Sequence, residues 1–162
     1  MKWAKQTKGF TIVELLIVIV VIGILAAITI VSFNGVQDKA KFAREKSDMN
    51  AINKVIQLYY ADNGTYPLKP SWGGWNQVTN DNFIPGVVPK YIANTPQMPT
   101  GGDINESYLY QSTASGNGYK LIRYAATTGL PQGEQTNNAL IDPIRPTRAW
   151  GYWSTDTASV NM

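Results

Sequence analysis

The chain has 162 residues, with 14 Lys and Arg against 11 Asp and Glu, and contains neither Cys nor His. Disulfides and thiolate chemistry are therefore excluded, as are His-based triads and His or Cys zinc sites, so catalysis is not expected and no cofactor is implied. Lys2, Lys5 and Lys8 supply the whole formal charge of +3; without them 11 basic residues face 11 acidic ones, which leaves no basic footprint for nucleic acid.

Residues 1–9 carry those three lysines and no acid, and read as a cytoplasmic flank that orients a following membrane helix. From Gly9 to Gln37 the only charged residue is Glu14. The apolar run Leu15–Val31 is broken by Gly23 and Thr29 alone, and counted from Phe10 it exceeds the ~20 residues needed to cross a bilayer. A lone carboxylate at depth costs roughly 2.5–3.5 kcal/mol, and the segment has no Lys, Arg or His to pair with it. A cut between Gly9 and Phe10 would create a free amine as that partner. An ordinary secretory cut after the apolar core needs small residues three apart, and Leu25-Ala26-Ala27 matches this poorly. Without the Gly-Phe context, Glu14 reads as an interfacial residue snorkelling from a simple membrane anchor.

Nothing from Phe10 to Asp62 forbids helix, since there is no Pro and the only glycines are Gly23 and Gly35. Some fifty residues make a rod on the order of 80 Å. Its first half is apolar all round, with the membrane-spanning part at about 10–32. In its second half Val36, Ala40, Ala43, Ser47, Ala51, Val55 and Leu58 recur at spacings of three and four, widened by Ile52, Ile56 and Tyr59. Such a stripe is expected to pack on a C-terminal domain. Lys39, Lys41, Arg44 and Lys46 alternate with Asp38, Glu45 and Asp48, which reads as a solvated face with local ion pairs. Asn63-Gly64 then tolerates positive φ and Tyr66-Pro67 stops the helix.

Residues 63–162 are expected to form a small β-rich domain that borrows part of its core from the helix. Six prolines between Pro67 and Pro99 mark a loop-rich connection, with a short helix or turn around Asp81–Ile84. Ser107–Ser112, a Gly116-Asn117-Gly118 turn and Tyr119–Ala125 predict a hairpin. After a further loop over 131–147, Ala149–Ser154 adds a third antiparallel strand. The fold class is thus α+β, a long N-terminal helix packed on a small antiparallel sheet. Tyr108, Tyr110, Tyr119 and Trp150 read as core fillers, while Trp72-Gly73-Gly74-Trp75 is open between core and an adhesive surface. Thr100–Glu106 offers oxygen ligands, but in no regular calcium spacing, and reads as a polar turn.

Lys8-Gly9-Phe10-Thr11-Ile12-Val13-Glu14-Leu15, followed by Ile22-Gly23-Ile24-Leu25-Ala26-Ala27-Ile28, resembles the prepilin signature of type IV pilins and type II secretion pseudopilins. The resemblance extends more loosely to Tyr59–Pro67, the helix-exit segment. It implies a cleaved leader at 1–9, a helix at 10–62 and a globular domain at 63–162. A prepilin peptidase would cut after Gly9 and methylate Phe10, and Glu14 would meet a Phe10 amine during assembly. The implied function is a type IV pilus subunit serving adhesion, twitching motility or DNA uptake, held in the cytoplasmic membrane and then assembled into a helical surface filament. Implied partners are further copies of the chain, minor pilins, a platform protein and an assembly motor. The alternatives are a type II secretion pseudopilin and, from another class, a monomeric membrane-anchored binding module. Many family members carry a Pro in the stretch that here reads Ala27–Ser32, so helix unwinding between Gly23 and Gly35 stays open. Many pilins also close a C-terminal loop with a disulfide; this chain must hold any such loop by packing, hydrogen bonds or a bound ion.

Overall fold

The structure is a computed structural model that describes residues 9–74, 83–98, 105–126, 140–155 and 161–162. Its described elements are one helix, α1 (Ile12–Asn63), and three strands, β1 (Glu106–Ser112), β2 (Tyr119–Ala125) and β3 (Ala149–Trp153), so the fold is α+β as expected. The chain divides into two compact units, Met1–Ala40 and Lys41–Met162.

In the first unit α1 is unbroken through Gly23 and Gly35, and a Cβ at either glycine would meet nothing. Apolar side chains from Phe10 to Ile30 are exposed all round, and this part of α1 is long and apolar enough to cross a membrane. The Thr29 hydroxyl donates to the Leu25 carbonyl, so its polar group is satisfied within the apolar stretch.

In the second unit the strands pair antiparallel in the order β1-β2-β3, with Tyr110 opposite Leu121 and Ile122 opposite Gly151. The strand bounds lie within a residue of those predicted, because the Tyr-, Leu- and Ile-rich runs and the Gly116-Asn117-Gly118 turn are local signals. One face of the sheet packs Tyr108, Tyr110, Tyr119, Leu121 and Trp150 on Met49, Ile52, Val55 and Ile56 of α1. Those four aromatics are core, as expected. The opposite face is buried too: Leu109, Ile122 and Ala149 lie beneath Trp72 and Tyr124. Both sheet edges carry isolated bridges, Gly73 to Tyr110 beside β1 and Ile141 to Trp150 beside β3, which limits edge-to-edge pairing.

The helix stripe needs correction. Val36, Ala40, Ala43, Ser47 and Leu58 are exposed, and the buried face runs through Glu45, Met49, Ile52, Val55 and Ile56, flanked by Phe42 and Tyr59. A charged residue inside that face disguised its period. The helix exit is as predicted: the Gly64 amide donates to the Tyr60 carbonyl at 2.8 Å with φ at 71°, a left-handed turn suited to glycine. Phe83 and Ile84, in the expected turn region, are buried in the core, whereas Asp81, Trp75 and Thr100–Ile104 lie outside the described residues.

Candidate functional site

The N-terminal segment holds the three residues singled out from sequence. Gly9, Phe10 and Glu14 are all exposed in the subunit, and Phe10 is 90% accessible. A Cβ on Gly9 would meet nothing within 4 Å, so folding of the subunit places no demand for glycine there. Any requirement for Gly9 must come from something that handles the chain from outside.

Glu14 has a partner that the charge argument overlooks. Thr11 precedes the first helical residue, and its backbone amide and its hydroxyl both donate to Glu14 Oε2 at 2.8 Å. In return the Glu14 amide donates to Thr11 Oγ1 at 3.2 Å. Thr-x-x-Glu with this reciprocal pattern is a capping box, and it satisfies amides that would otherwise be orphaned at the start of α1. The signal was legible in Thr11-Ile12-Val13-Glu14. The carboxylate also sits in the first turn, where the helix dipole favours negative charge. Glu14 is thus held at the end of α1 nearest Phe10, oriented by its own helix before any second copy arrives.

The domain that follows is fastened by charge rather than sulfur. Arg123 on β2 donates from Nε and Nη2 to the two Glu45 oxygens at 3.0 Å each, and also pairs with Glu106 on β1. Burial works against the Arg123 charge, but the hydrogen bonds and charges of Glu45 and Glu106 outweigh it and hold the guanidinium above its usual range. On the opposite face Lys120 Nζ donates to Asp142 Oδ1 at 2.7 Å, with both side chains fully buried. Burial pushes the Lys120 ammonium below the usual lysine range, and the Asp142 hydrogen bond opposes that. Arg145 reaches Asp142 Oδ2 at 2.8 Å, and the Ile144 amide donates to Oδ1 at 3.0 Å. Lys120 and Arg145 also donate to the backbone oxygen of Met162 at 3.2 and 3.1 Å. This buried network ties the 142–145 segment to the central strand where a disulfide is chemically impossible. Sequence reasoning leaves Lys120, Arg123 and Asp142 unremarked, since only the sheet brings them to their partners.

A third cluster marks the helix exit. Asp62 Oδ2 accepts from Lys90 Nζ at 3.0 Å and from the Tyr91 hydroxyl at 2.8 Å, while Asn63 Nδ2 donates to Tyr91 at 3.1 Å. Trp72 is half-buried beneath Arg145, whose guanidinium carbon lies 5.2 Å from the ring centroid. That favours a packing role over a free adhesive ring. Among the described residues no group of three or more carboxylates is placed to hold a metal.

Comparison with known proteins gives the same emphasis on the N-terminal segment. The model of the prokaryotic N-terminal methylation motif matches residues 4–30. The type II secretion system core protein G of Klebsiella michiganensis is 35% identical over 103 residues, covering 61% of this chain and 72% of the relative. Its counterpart in Escherichia coli K12 is 29% identical over 127 residues, 75% of this chain and 83% of the relative. The Dickeya chrysanthemi protein of the same name is 28% identical over 131 residues, 78% of this chain and 82% of the relative. No solved structure matches the chain.

Proposed function

The chain belongs to the family of type IV pilins and type II secretion pseudopilins, and from that membership we propose that it is a pseudopilin, the repeating subunit of a membrane-anchored filament in a type II secretion system. One observation carries the choice within the family. The likeness to the Klebsiella michiganensis secretion core protein G spans 103 residues, whereas α1 ends at Asn63, so it must reach into the domain that follows the helix. The surface pilus expected from sequence leaned on the aromatic C-terminal part and the irregular Thr100–Glu106 loop, since the N-terminal segment serves both kinds of filament equally well.

In this reading a prepilin peptidase removes residues 1–9 and methylates the Phe10 amine, while α1 holds the subunit in the cytoplasmic membrane. Assembly then exchanges lipid around the apolar half of α1 for the helices of neighbouring copies, so hydrophobic burial persists throughout. The capping box presents Glu14 beside the new amine of the same or an adjacent copy. Pairing the two removes a desolvated cation and a desolvated anion together, where either alone would cost several kcal/mol. The role is structural, with no chemistry performed by the subunit after processing.

Two measurements test the proposal. The intact mass of the mature protein should equal residues 10–162 plus one methyl group, and a retained Met1 would remove the processing step. Deleting the gene should leave secreted proteins trapped within the cell envelope and leave sheared surface fibres unchanged. Loss of surface fibres with secretion intact would return the function to a surface pilus.

A further inference from the structure

The chain holds three Asn-Gly pairs, Asn34-Gly35, Asn63-Gly64 and Asn117-Gly118. In such a pair the amide nitrogen of the glycine can attack the asparagine side-chain carbon, because no Cβ shields the approach and the glycine backbone turns freely. The fold restrains the three pairs differently. Asn34-Gly35 lies inside α1, where the helical ladder occupies the Gly35 amide and fixes the backbone between the two residues. At Asn63-Gly64 the Gly64 amide donates to the Tyr60 carbonyl at 2.8 Å, and Asn63 Nδ2 donates to the Tyr59 carbonyl at 2.7 Å and to the Tyr91 hydroxyl at 3.1 Å. That asparagine is exposed, yet both of its reacting groups are held.

Asn117-Gly118 is the loose pair. It lies in the turn between β1 and β2, outside any helix or strand, and Asn117 is exposed. Among the described residues its side chain has no hydrogen-bond partner, and the only restraint on the Gly118 amide is a bond to Thr113 Oγ1 at 3.0 Å. Cyclisation there needs one hydrogen bond to open, a local event that turns undergo far more often than helix ends held by several. The same turn braces the helix exit. The Gly116 carbonyl accepts from the Tyr66 amide at 2.8 Å, and the Tyr66 ring lies between those of Tyr60 and Tyr119, with centroids 4.4 and 4.5 Å away.

We infer that Asn117 is a site of spontaneous deamidation, a modification timed by the age of the subunit rather than by an enzyme. The Gly118 nitrogen bonds to Asn117 Cγ, the bond from Cγ to Nδ2 breaks, and the side-chain nitrogen departs as ammonia with the proton that Gly118 gives up. Water then opens the cyclic imide at one carbonyl or the other, giving aspartate or isoaspartate, and no oxidant or reductant takes part. Aspartate adds a negative charge to the turn. Isoaspartate adds a methylene to the main chain between residues 117 and 118. That shifts the Gly118 carbonyl from the Thr113 amide, now 2.9 Å away, and draws the turn from Tyr66.

The test ages the full mature chain in detergent at mildly alkaline pH, with peptide mass spectrometry reading each asparagine and an isoaspartyl methyltransferase reading isoaspartate. Asn117 should convert about thirtyfold faster than Asn63, the factor carried by the two hydrogen bonds that hold the Asn63 side chain. Tyr91→Phe, which removes one of them, should speed Asn63 about three- to tenfold and leave Asn117 unchanged. In denaturant the two sites of the unaltered protein should react at similar rates, which shows that the fold and not the local sequence sets the ranking. Amide exchange at Tyr66 should quicken in the aged chain. Equal rates at the two sites in the folded protein, or conversion of Asn63 first, overturn the assignment. An Asn117 that stays intact while the denatured chain converts overturns it as well. Unchanged Tyr66 exchange in the fully converted chain removes the link from this turn to the helix exit.

Discussion

The Glu45 carboxylate on α1 receives two parallel hydrogen bonds from the Arg123 guanidinium on β2, each 3.0 Å long, within the buried helix–sheet interface. This fork fixes both the rotation and the height of the helix on the sheet, because a planar guanidinium meets a planar carboxylate in one orientation. Exchange of Arg123 for an apolar residue leaves the buried Glu45 carboxylate without its mate.

Arg123→Met should therefore lower the stability of the domain by about 3–5 kcal/mol, since it leaves both Glu45 and Glu106 facing an apolar side chain. Arg44→Gln, which removes an exposed guanidinium 3.9 Å from the partly buried Asp48, should cost no more than about 0.5 kcal/mol. Denaturant melts of the two variants, in one detergent, give the comparison. Similar midpoints would mean that Arg123 is not the register lock described.

The two roles of Glu14 are separable. Glutamine at this position keeps a capping box but carries no charge. If the carboxylate pairs with the Phe10 amine during assembly, Glu14→Gln should assemble as poorly as Glu14→Ala, while Thr11→Val, which loses the cap at about 1 kcal/mol, still assembles. Filament yield by electron microscopy reads all three. Wild-type yield from Glu14→Gln would reduce Glu14 to a helix cap.

Gly9 gives the cleanest test of processing. Since a side chain there meets nothing in the subunit, Gly9→Val should leave circular dichroism and melting of the domain unchanged. Removal of residues 1–9 should nevertheless fail, read as retention of the leader in the intact mass. A mature Phe10 terminus from this variant would place the cut elsewhere.

The Asp62 clasp sets a pH window. The hydrogen bond from Lys90, then that from Tyr91, holds the Asp62 carboxyl below its usual range, and Tyr91 and Asp62 together hold the Lys90 ammonium above its own. A depressed acid contributes stability above its unfolded pKa and loses it as pH falls through the folded value, here below about 4. A raised base contributes fully below its unfolded pKa and loses it as pH rises past about 10.5. The clasp should hold the 83–92 segment to α1 between those limits, read by amide exchange at Tyr91 and Ile92. Lys90→Gln should move the Asp62 titration upward toward an ordinary carboxylate, and an unmoved titration would show that the contact is absent in solution.

How far these features could be read from sequence depends on how local their causes are. The hairpin and the helix exit follow from neighbours: Gly116-Asn117-Gly118 turns the chain between two runs rich in Tyr, Leu and Ile, and Gly64 with Pro67 ends α1. The buried face of α1 was misplaced toward Ala43, Ser47 and Leu58 because Glu45 looks like a solvent residue until Arg123, 78 positions later, is set against it. Lys120 and Asp142 are likewise ordinary surface residues in sequence, and become core only once β2 and the 142–145 segment are packed together. Thr11 and Glu14 are the opposite case. Their spacing was in plain view, and the unpaired charge drew attention from the cap it forms.

Gly151 offers the sharpest packing test. It lies on β3 opposite Ile122, and a Cβ there would fall 2.0 Å from the Leu121 carbonyl oxygen and 2.8 Å from the Ile122 Cα, both backbone atoms of the central strand. Neither atom can rotate away, so Gly151→Ala must push β3 off β2 and loosen Trp150 from the core. The expected loss is about 3 kcal/mol, the upper end for overpacking. Gly64 is the internal contrast, with φ at 71° but open space around it. There alanine is strained without a clash, and Gly64→Ala should cost only about 1–2 kcal/mol. Melts of the two single variants rank the two mechanisms directly, and a Gly151→Ala protein as stable as Gly64→Ala would mean that β3 does not approach β2 this closely.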